Sequence, residues 1–538
     1  MRQGKLNCFL SCCSRLVDDL SKDNEDGSHY LSWILVSHEV SIKYPLRDKS
    51  LRILFSSSVD NAKVDTNNFE MSEQQYDAIV VGAGLSGLQA ALKIQEAGYS
   101  CVVLEARDRV GGKTWSIPLA NGKGIVDIGA AWINDTNQSH VYALTKRFDI
   151  ELLQQNTEGD CIFQDTDGST HAFPYGTSPK FSEAQVTDLE RIRDIIHDLS
   201  VASGSKSNIT KNYDQISLEQ FVISKGATKK TIDMVRVWSR VMVGVEAKDM
   251  GAQFFIEYTG KGGGLKQLRS DQKHGGQFLR FRKGTQSISM GLAALLKPGT
   301  IHLSTPVSSI TDSGTFIDVA TRSGKVFRST KVVLSIPTPL YADLTISPHL
   351  SGNKAIAASS TIHGYYSKMI LCYDNPWWSK TPDTPKSCGL AISYQSPAAV
   401  IRDTSVPEDG HYCLTCLVGG APGIAWSKLP QHERRSQVLA QVSSIFGKKE
   451  DVYKPVEIFE QEWTKEEYSR GAPCPIMGPG VLTRVGEALA EPVGNLHFIG
   501  TETSDVWRGY MEGAVRSGIR GAEEVVQSLK GGAVRAKL

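Results

Sequence analysis

The chain has 538 residues, 40% hydrophobic and 22% charged, which is ordinary for a globular protein and long enough for two large domains. Its 59 basic and 58 acidic residues create no net field that would draw nucleic acid or an anionic membrane. No run of about twenty apolar residues marks a transmembrane helix, and neither the 12 histidines nor the 10 cysteines show metal-ligand spacing.

Residues 1–70 are rich in Ser, Cys and mixed charge, without lasting periodicity. The acids between Asp18 and Asp26 argue against a transit peptide, and no long apolar segment supports a signal peptide. This stretch is expected to be a disordered extension or an over-extended reading frame, with a compact protein beginning near Met71. Dispersed thiols and the lack of a secretory signal favour a reducing compartment, which makes the sequons at Asn134, Asn137 and Asn208 chance matches.

Residues 76–114 carry the strongest signal. Ala78–Val81 suit a buried strand, and Gly82, Gly84 and Gly87 follow with GxGxxG spacing into a helix expected from about Ser86 to Ala97. The first glycine permits the tight turn, the second lets a pyrophosphate approach the backbone, and the third lets helix and strand pack closely. Cys101–Leu104 reads as a second buried strand ending in Glu105, 18 residues after Gly87. A carboxylate there accepts ribose hydroxyls and repels a 2′-phosphate, so the ligand is an unphosphorylated adenine dinucleotide. Arg107 and the second glycine pair, Gly111-Gly112, move the reading from NAD to FAD.

From 150 to about 275 the pattern is mostly helical, with apolar spacing of three and four in Leu189–Leu199 and Thr231–Val243. Phe254, Phe255 and Tyr258 fall at helical spacing and are expected in the core. Residues 300–340 return to strands, 362–373 and 411–418 are β-rich, and 430–447 is helical. Cys413 and Cys416 lie three apart in a strand, so they point to opposite faces as two buried thiols. Residues 495–500 form a last strand before a helix from about Gly513, with Val515, Gly518, Ile519, Ala522 and Val526 on one face. The N-terminus of that helix offers a partial positive charge to a reduced, anionic flavin.

The expected fold class is therefore α/β, an α+β two-domain flavoprotein: a Rossmann-like FAD-binding domain with an inserted substrate domain of mixed sheet and helices. The FAD domain is discontinuous, from 72–150, 276–345 and 460–528. The substrate domain takes 151–275 and 346–459, and 529–538 form a tail. The final Ala536-Lys537-Leu538 is a close variant of the Ser-Lys-Leu peroxisomal address. Peroxisomal location through its import receptor is the expectation, with the cytoplasm as the alternative.

Three further stretches carry a family resemblance: GAAWINDTNQS at 129–139, GYYSKMILCYDNPWW at 364–378 and GTETSDVWRGYMEGAVRSG at 500–518. The chain resembles the flavin-dependent monoamine oxidase family over about Tyr76 to Ser528, and within it most resembles the fungal aminopolyol (fumonisin-type) amine oxidases. The resemblance implies that Gly82, Gly84, Gly87, Glu105 and Arg107 contact the adenosine–pyrophosphate half of FAD and that Gly112 also binds the cofactor. Lys113 stands where the family has an Arg. Gly129, Ala130, Ala131 and Trp132 would line the isoalloxazine, and Met511 is a further cofactor-binding residue. Val307 matches a position that holds the adenine, and Glu502 one that holds the ribityl–phosphate region. Lys368 matches the lysine that keeps a water against flavin N5, Tyr510 one wall of an aromatic cage, and Gln277 a polar residue near the substrate.

The sequence departs from the family at 469–474, where Ala472 takes the place of the flavin-linking cysteine, Pro473 that of the second cage aromatic, and Cys474 is one residue off. Noncovalent FAD and a one-sided cage follow. The implied reaction is oxidative deamination of a primary amine with dioxygen, releasing ammonia and hydrogen peroxide. The alternatives are a polyamine or L-amino-acid oxidase on the same fold, or a noncatalytic FAD-binding protein. An acidic pocket would favour the polyamine reading and a substrate-facing Arg the amino-acid one. The oligomeric state stays open, a homodimer among the options.

Overall fold

The computed structural model describes residues 71–535, apart from 206–210, 382–383 and 448, together with 31–35 and 38–42. In the first unit, Leu31–Leu35 and His38–Ile42 pair antiparallel, with Leu31 opposite Ile42. The extension expected to lack structure thus contains one two-stranded ribbon. The rest of 1–70 and Ala536-Lys537-Leu538 lie outside the described residues.

Two large sheets organise the second unit, which begins at Phe69. The first has eight strands. Its path runs through Ile301–His302, Cys101–Leu104, Met71–Val81, Val326–Leu334, Ile317–Thr321, Val307–Asp312 and Thr345–Ser347, with Leu496–Phe498 pairing to Val326–Leu334 off that path. The centre is parallel: Ala78 pairs with Cys101, Val80 with Val333, and Val333 with His497. Both faces of this centre are covered. Ala78, Val80, Val103 and Val333 pack on one side, while Ile79, Val81, Val102, Leu104, Val332 and Leu334 pack on the other. Burial on both faces is why these strands read as unbroken apolar runs.

Helix Leu85–Glu96 follows the glycine turn and is covered by the C-terminal helix, Met511–Arg535. A Cβ on Gly518 would stand 2.4 Å from the Ser86 carbonyl oxygen, so only glycine permits this crossing. Val515 and Ala522 are buried as expected; the third residue of the buried stripe is Val525, one position before the expected Val526. The helix runs on to Arg535.

The second sheet has seven strands, in the order Thr170–Pro174, Asp160–Gln164, Ser387–Ser393, Val400–Asp403, Tyr412–Gly419, Tyr366–Tyr373 and Glu457–Glu462. Its first two strands correct the helical reading of 150–275, as does Leu152–Gln154. They are short strands of one hairpin, and Asp160–Gln164 is also paired with Ser387–Ser393 more than two hundred residues later, a support that local periodicity does not show. The helices begin at Glu183 and include Lys229–Val243 and Ala252–Gly260. Cys413 and Cys416 are buried in different clusters, as their spacing in one strand predicts.

Candidate functional site

The strand ends of the first sheet and the face of the second open onto one continuous cavity of about 680 Å³, within the usual range for small-molecule sites. At one end are Gly82, Gly84, Glu105, Arg107, Gly112 and Val307, and towards the other are Lys368, Tyr510 and Gln277. Lys113, Gly129, Ala130, Ala131, Trp132, Glu502 and Met511 line the stretch between. Of the expected site residues, only Gly87 is absent from the wall, because it serves packing. A Cβ there would stand 2.0 Å from the Gly82 carbonyl oxygen.

The narrow end fits an adenine dinucleotide. Helix Leu85–Glu96 starts at Gly84 with no side-chain cap, which leaves its first-turn amides for an anion. Gly111 donates its N–H to the Ala83 carbonyl at 2.8 Å, which lays the second glycine turn against the first. Buried Glu105 accepts from the Ala83 N–H at 2.6 Å and the Arg107 N–H at 2.9 Å. With two lone pairs on each oxygen, the carboxylate keeps capacity for ribose hydroxyls. The Arg107 guanidinium is itself held by Glu466 and by the Ser469 hydroxyl, which ties the glycine turns to the 466–474 segment. Glu502, also buried, accepts from the Thr338 N–H at 3.0 Å and hydroxyl at 3.1 Å.

Lys113 donates to the Pro473 carbonyl at 3.1 Å and lies 3.4 Å from His363 Nε2. Burial lowers its pKa, opposed by the Glu502 carboxylate, and burial with the Lys113 charge holds His363 well below its ordinary value. The imidazole is therefore neutral beside the ammonium group. Ala472 and Pro473 face the cavity and Cys474 does not. The thiol is buried behind Gly509, where a Cβ would stand 3.0 Å from its sulfur, and burial pushes it up to about 12.

Lys368 is buried in the middle of Tyr366–Tyr373 with its ammonium group turned into the cavity wall. It donates to the Asp127 carbonyl at 2.9 Å and the Gly129 carbonyl at 2.5 Å, and lies 5.4 Å from the centre of the Trp132 ring. Burial lowers its pKa to about 8, with the nearby Asp127 carboxylate acting the other way. That carboxylate accepts from Ser116 Oγ at 2.6 Å, Thr285 N at 2.9 Å and Thr285 Oγ1 at 3.0 Å.

Tyr510 packs edge-on against Trp507, with ring centres 4.9 Å apart, and stacks with Tyr258 at 6.3 Å, planes 26° apart. Tyr258 lines the cavity, whereas Phe254 and Phe255 are core residues outside its wall. All three belong to one buried core cluster, as expected, and Tyr258 lines the cavity besides. Helix Ala252–Gly260 presents its aromatics to two surroundings, and only the position facing Tyr510 reaches the site. Tyr366 also lines the wall. It precedes Lys368 by two residues in one strand, so both side chains share a face, and that alternation was readable without the fold.

Beyond Trp132 the wall changes character. Helix Lys229–Val243 contributes Met234, Val237, Trp238 and Val241, an apolar side. Facing it are Asp271 and Arg402, a buried ion pair in which Asp271 also bonds Tyr175 through the phenol at 3.0 Å and its own N–H at 2.9 Å. Arg402 lies 5.6 Å from the Trp132 ring centre, on the wall with Lys368. Gln277 donates to the Leu268 carbonyl at 2.7 Å, and its Oε1 is buried without a donor among the described residues. The pair was missed because its members lie 131 positions apart and only the fold joins them. Among the described residues no group of three His, Cys, Asp or Glu side chains is placed to hold a metal, and no helix is long and apolar enough to cross a membrane.

A family model described as flavin containing amine oxidoreductase matches residues 85–526. A Mycobacterium tuberculosis protein described as a flavin-containing monoamine oxidase is 31% identical over 457 residues, covering 84% of this chain and 97% of its own. Among solved structures, a putrescine oxidase bound to putrescine superposes with a TM-score of 0.78 at 24% identity, over 84% of this chain and 99% of its own. Cyclohexylamine oxidase from Brevibacterium oxydans superposes with a TM-score of 0.77 at 24% identity, over 85% and 100%. At that identity the two superpositions establish the shared fold.

Proposed function

The chain belongs to the flavin-containing amine oxidoreductase family, and from that premise we propose that this FAD-dependent amine oxidase acts on a primary monoamine with a long aliphatic or aminopolyol, fumonisin-like chain. The observation that carries the monoamine reading is the distribution of carboxylates. On the substrate side of the cavity Asp271 is the one acidic residue among the described lining, and Arg402 and Tyr175 already occupy it. The other lining acids, Glu105, Asp343, Glu467 and Glu502, come from loops around the first sheet and the dinucleotide end. A second ammonium group, as in a polyamine, would find no free counter-charge. The apolar wall of Met234, Val237, Trp238 and Val241 suits an alkyl chain, and the orphaned Gln277 Oε1 suits a substrate hydroxyl.

FAD, when bound, accepts two electrons from the amine and passes them to dioxygen. The amine loses its α-hydrogen and an N–H proton to become an imine, which water cleaves to a carbonyl product and ammonia; dioxygen gains two electrons and two protons as hydrogen peroxide. The chain's own residues orient and dehydrate the amine. Tyr510, Tyr258 and Tyr366 form an aromatic wall against which the amine is oriented. The charged Lys368 amine has three N–H groups and the two carbonyls take two, so one remains for a water at the reacting end. The 472–474 segment supports noncovalent FAD, since the only sulfur there is turned away from the cavity.

The test is peroxide release by the FAD-loaded enzyme over aliphatic monoamines, aminopolyols, polyamines and α-amino acids. Monoamines and aminopolyols should turn over fastest. Faster turnover of putrescine or spermidine would overturn the monoamine reading, and no peroxide from any class would favour a noncatalytic flavoprotein.

A further inference from the structure

The substrate cavity holds a cation that makes no ion pair of its own among the described residues. Arg269, at the end of the short helix Leu265–Leu268, lines the cavity with its guanidinium carbon 4.3 Å from the centre of the Trp238 ring. Among the described residues no carboxylate pairs with it and no acceptor bonds its side chain. Its neighbours are accounted for. Arg402 is paired with Asp271, while Arg193 and Lys266 share Asp194, at 2.8 and 3.0 Å. Arg193 also reaches Glu190 at 3.7 Å.

Resting on the proposal that the cavity oxidises a long-chain monoamine, we infer that Arg269 is the anchor of a carboxylate-binding subsite, so that the preferred amine carries an anionic group at the end remote from nitrogen. With its carbon 4.3 Å from the indole centre and no acceptor bonding its N–H groups among the described residues, the guanidinium can offer two of them side by side to a carboxylate. Ser270 and Gln272 line the cavity next to it and offer further polar atoms, whereas Met234, Val237 and Val241 on the Trp238 helix offer the intervening chain only apolar contact. An unpaired guanidinium in a partly dry wall is costly unless a ligand supplies the counter-charge. Consistent with that cost, burial lowers Arg269 to about 10 and the Arg402 and Arg193 charges act in the same direction, while Tyr175 and the Asp271 carboxylate, already paired with Arg402, oppose them. The amine must still reach Lys368 and Tyr510, so the carboxylate belongs at the end of the chain remote from nitrogen.

The experiment compares kcat/KM of the FAD-loaded enzyme for ω-aminocarboxylates and n-alkylamines of matched, increasing length. At one optimal length the aminocarboxylate should exceed its alkylamine by about tenfold, mostly through KM, as one charge-assisted bidentate contact would give. In Arg269→Gln that ratio should fall to about one, and Arg269→Lys should restore part of it. A second measurement needs no variant: n-alkanoates of the optimal length should inhibit the wild-type enzyme competitively against the amine, and less so at high salt. Aminocarboxylates no better than alkylamines at any length, an advantage that survives Arg269→Gln, or no inhibition by alkanoates would each overturn the subsite. None of those results disturbs the monoamine reading, which fails only if the alkylamines are themselves not oxidised.

Discussion

Lys368 donates to the Gly129 backbone carbonyl at 2.5 Å, which joins a strand of the second sheet to the loop before Trp132. The bond fixes Lys368 against the loop that leads to Trp132, so the two cavity residues are positioned together. Lys368→Met keeps the length of the side chain and removes every N–H donor. Turnover should fall by roughly 10²-fold or more, the usual scale for loss of a proton-handling group, with flavin content close to normal. Stopped-flow bleaching of the flavin by excess amine checks this, and near-normal bleaching and reoxidation would take Lys368 out of the reaction.

The same lysine makes a stability prediction with a definite sign. Its folded pKa, about 8, lies below the ordinary 10.5 because burial disfavours the charge. Between those values the unfolded chain binds a proton that the native state does not, so native stability rises with pH across that window. Measured against Lys368→Met, wild-type stability to urea should therefore gain between pH 8 and pH 10.5, by about 3 kcal/mol at most. No pH dependence of the difference would mean that Lys368 titrates as it does in water.

The glycine turn was the most legible part of the chain, because each of its demands is local. Strand, turn, helix and acid lie within about thirty residues, and the structure places Glu105 against the Ala83 N–H as that register requires. Gly87→Ala should therefore lose FAD. Its Cβ would meet the Gly82 carbonyl and force the helix from the strand at roughly 1–3 kcal/mol. Flavin absorbance per mole of purified protein checks this, and full occupancy would show that the turn can relax.

The substrate wall was less legible for the opposite reason. Tyr366 could be read from its alternation with Lys368, but Trp238, Arg269, Asp271 and Arg402 come from separate helices, loops and strands and meet only in the folded chain. Asp160–Gln164 has a local hairpin partner in Thr170–Pro174, but its other partner, Ser387–Ser393, is likewise joined to it only by the fold.

Cys474 gives a prediction about the cofactor bond. Its thiol is held high by burial and lies outside the cavity wall, while Ala472 faces it. Acid precipitation should release all the flavin into the supernatant, and Cys474→Ser should leave flavin content unchanged. Flavin retained in the pellet of the wild type but not of Cys474→Ser would reveal a covalent link through this sulfur.

The Asp271–Arg402 pair should behave as a unit. Both groups are buried in the wall, and burial raises the Asp271 pKa while the Arg402 charge opposes that rise. Asp271→Asn leaves the guanidinium without its counter-charge and should destabilise the protein by roughly 3 kcal/mol, the typical cost of halving a buried pair. Arg402→Met alone strands the carboxylate and should cost a similar amount. The double variant Asp271→Asn, Arg402→Met removes both charges and should be more stable than the sum of the single losses implies, with a coupling energy of about 1–3 kcal/mol. Urea denaturation of the four proteins at one pH measures that coupling directly. Strict additivity would mean that solvent reaches the pair and screens it, and Asp271 would then be free to meet a second ammonium group, reopening the polyamine reading.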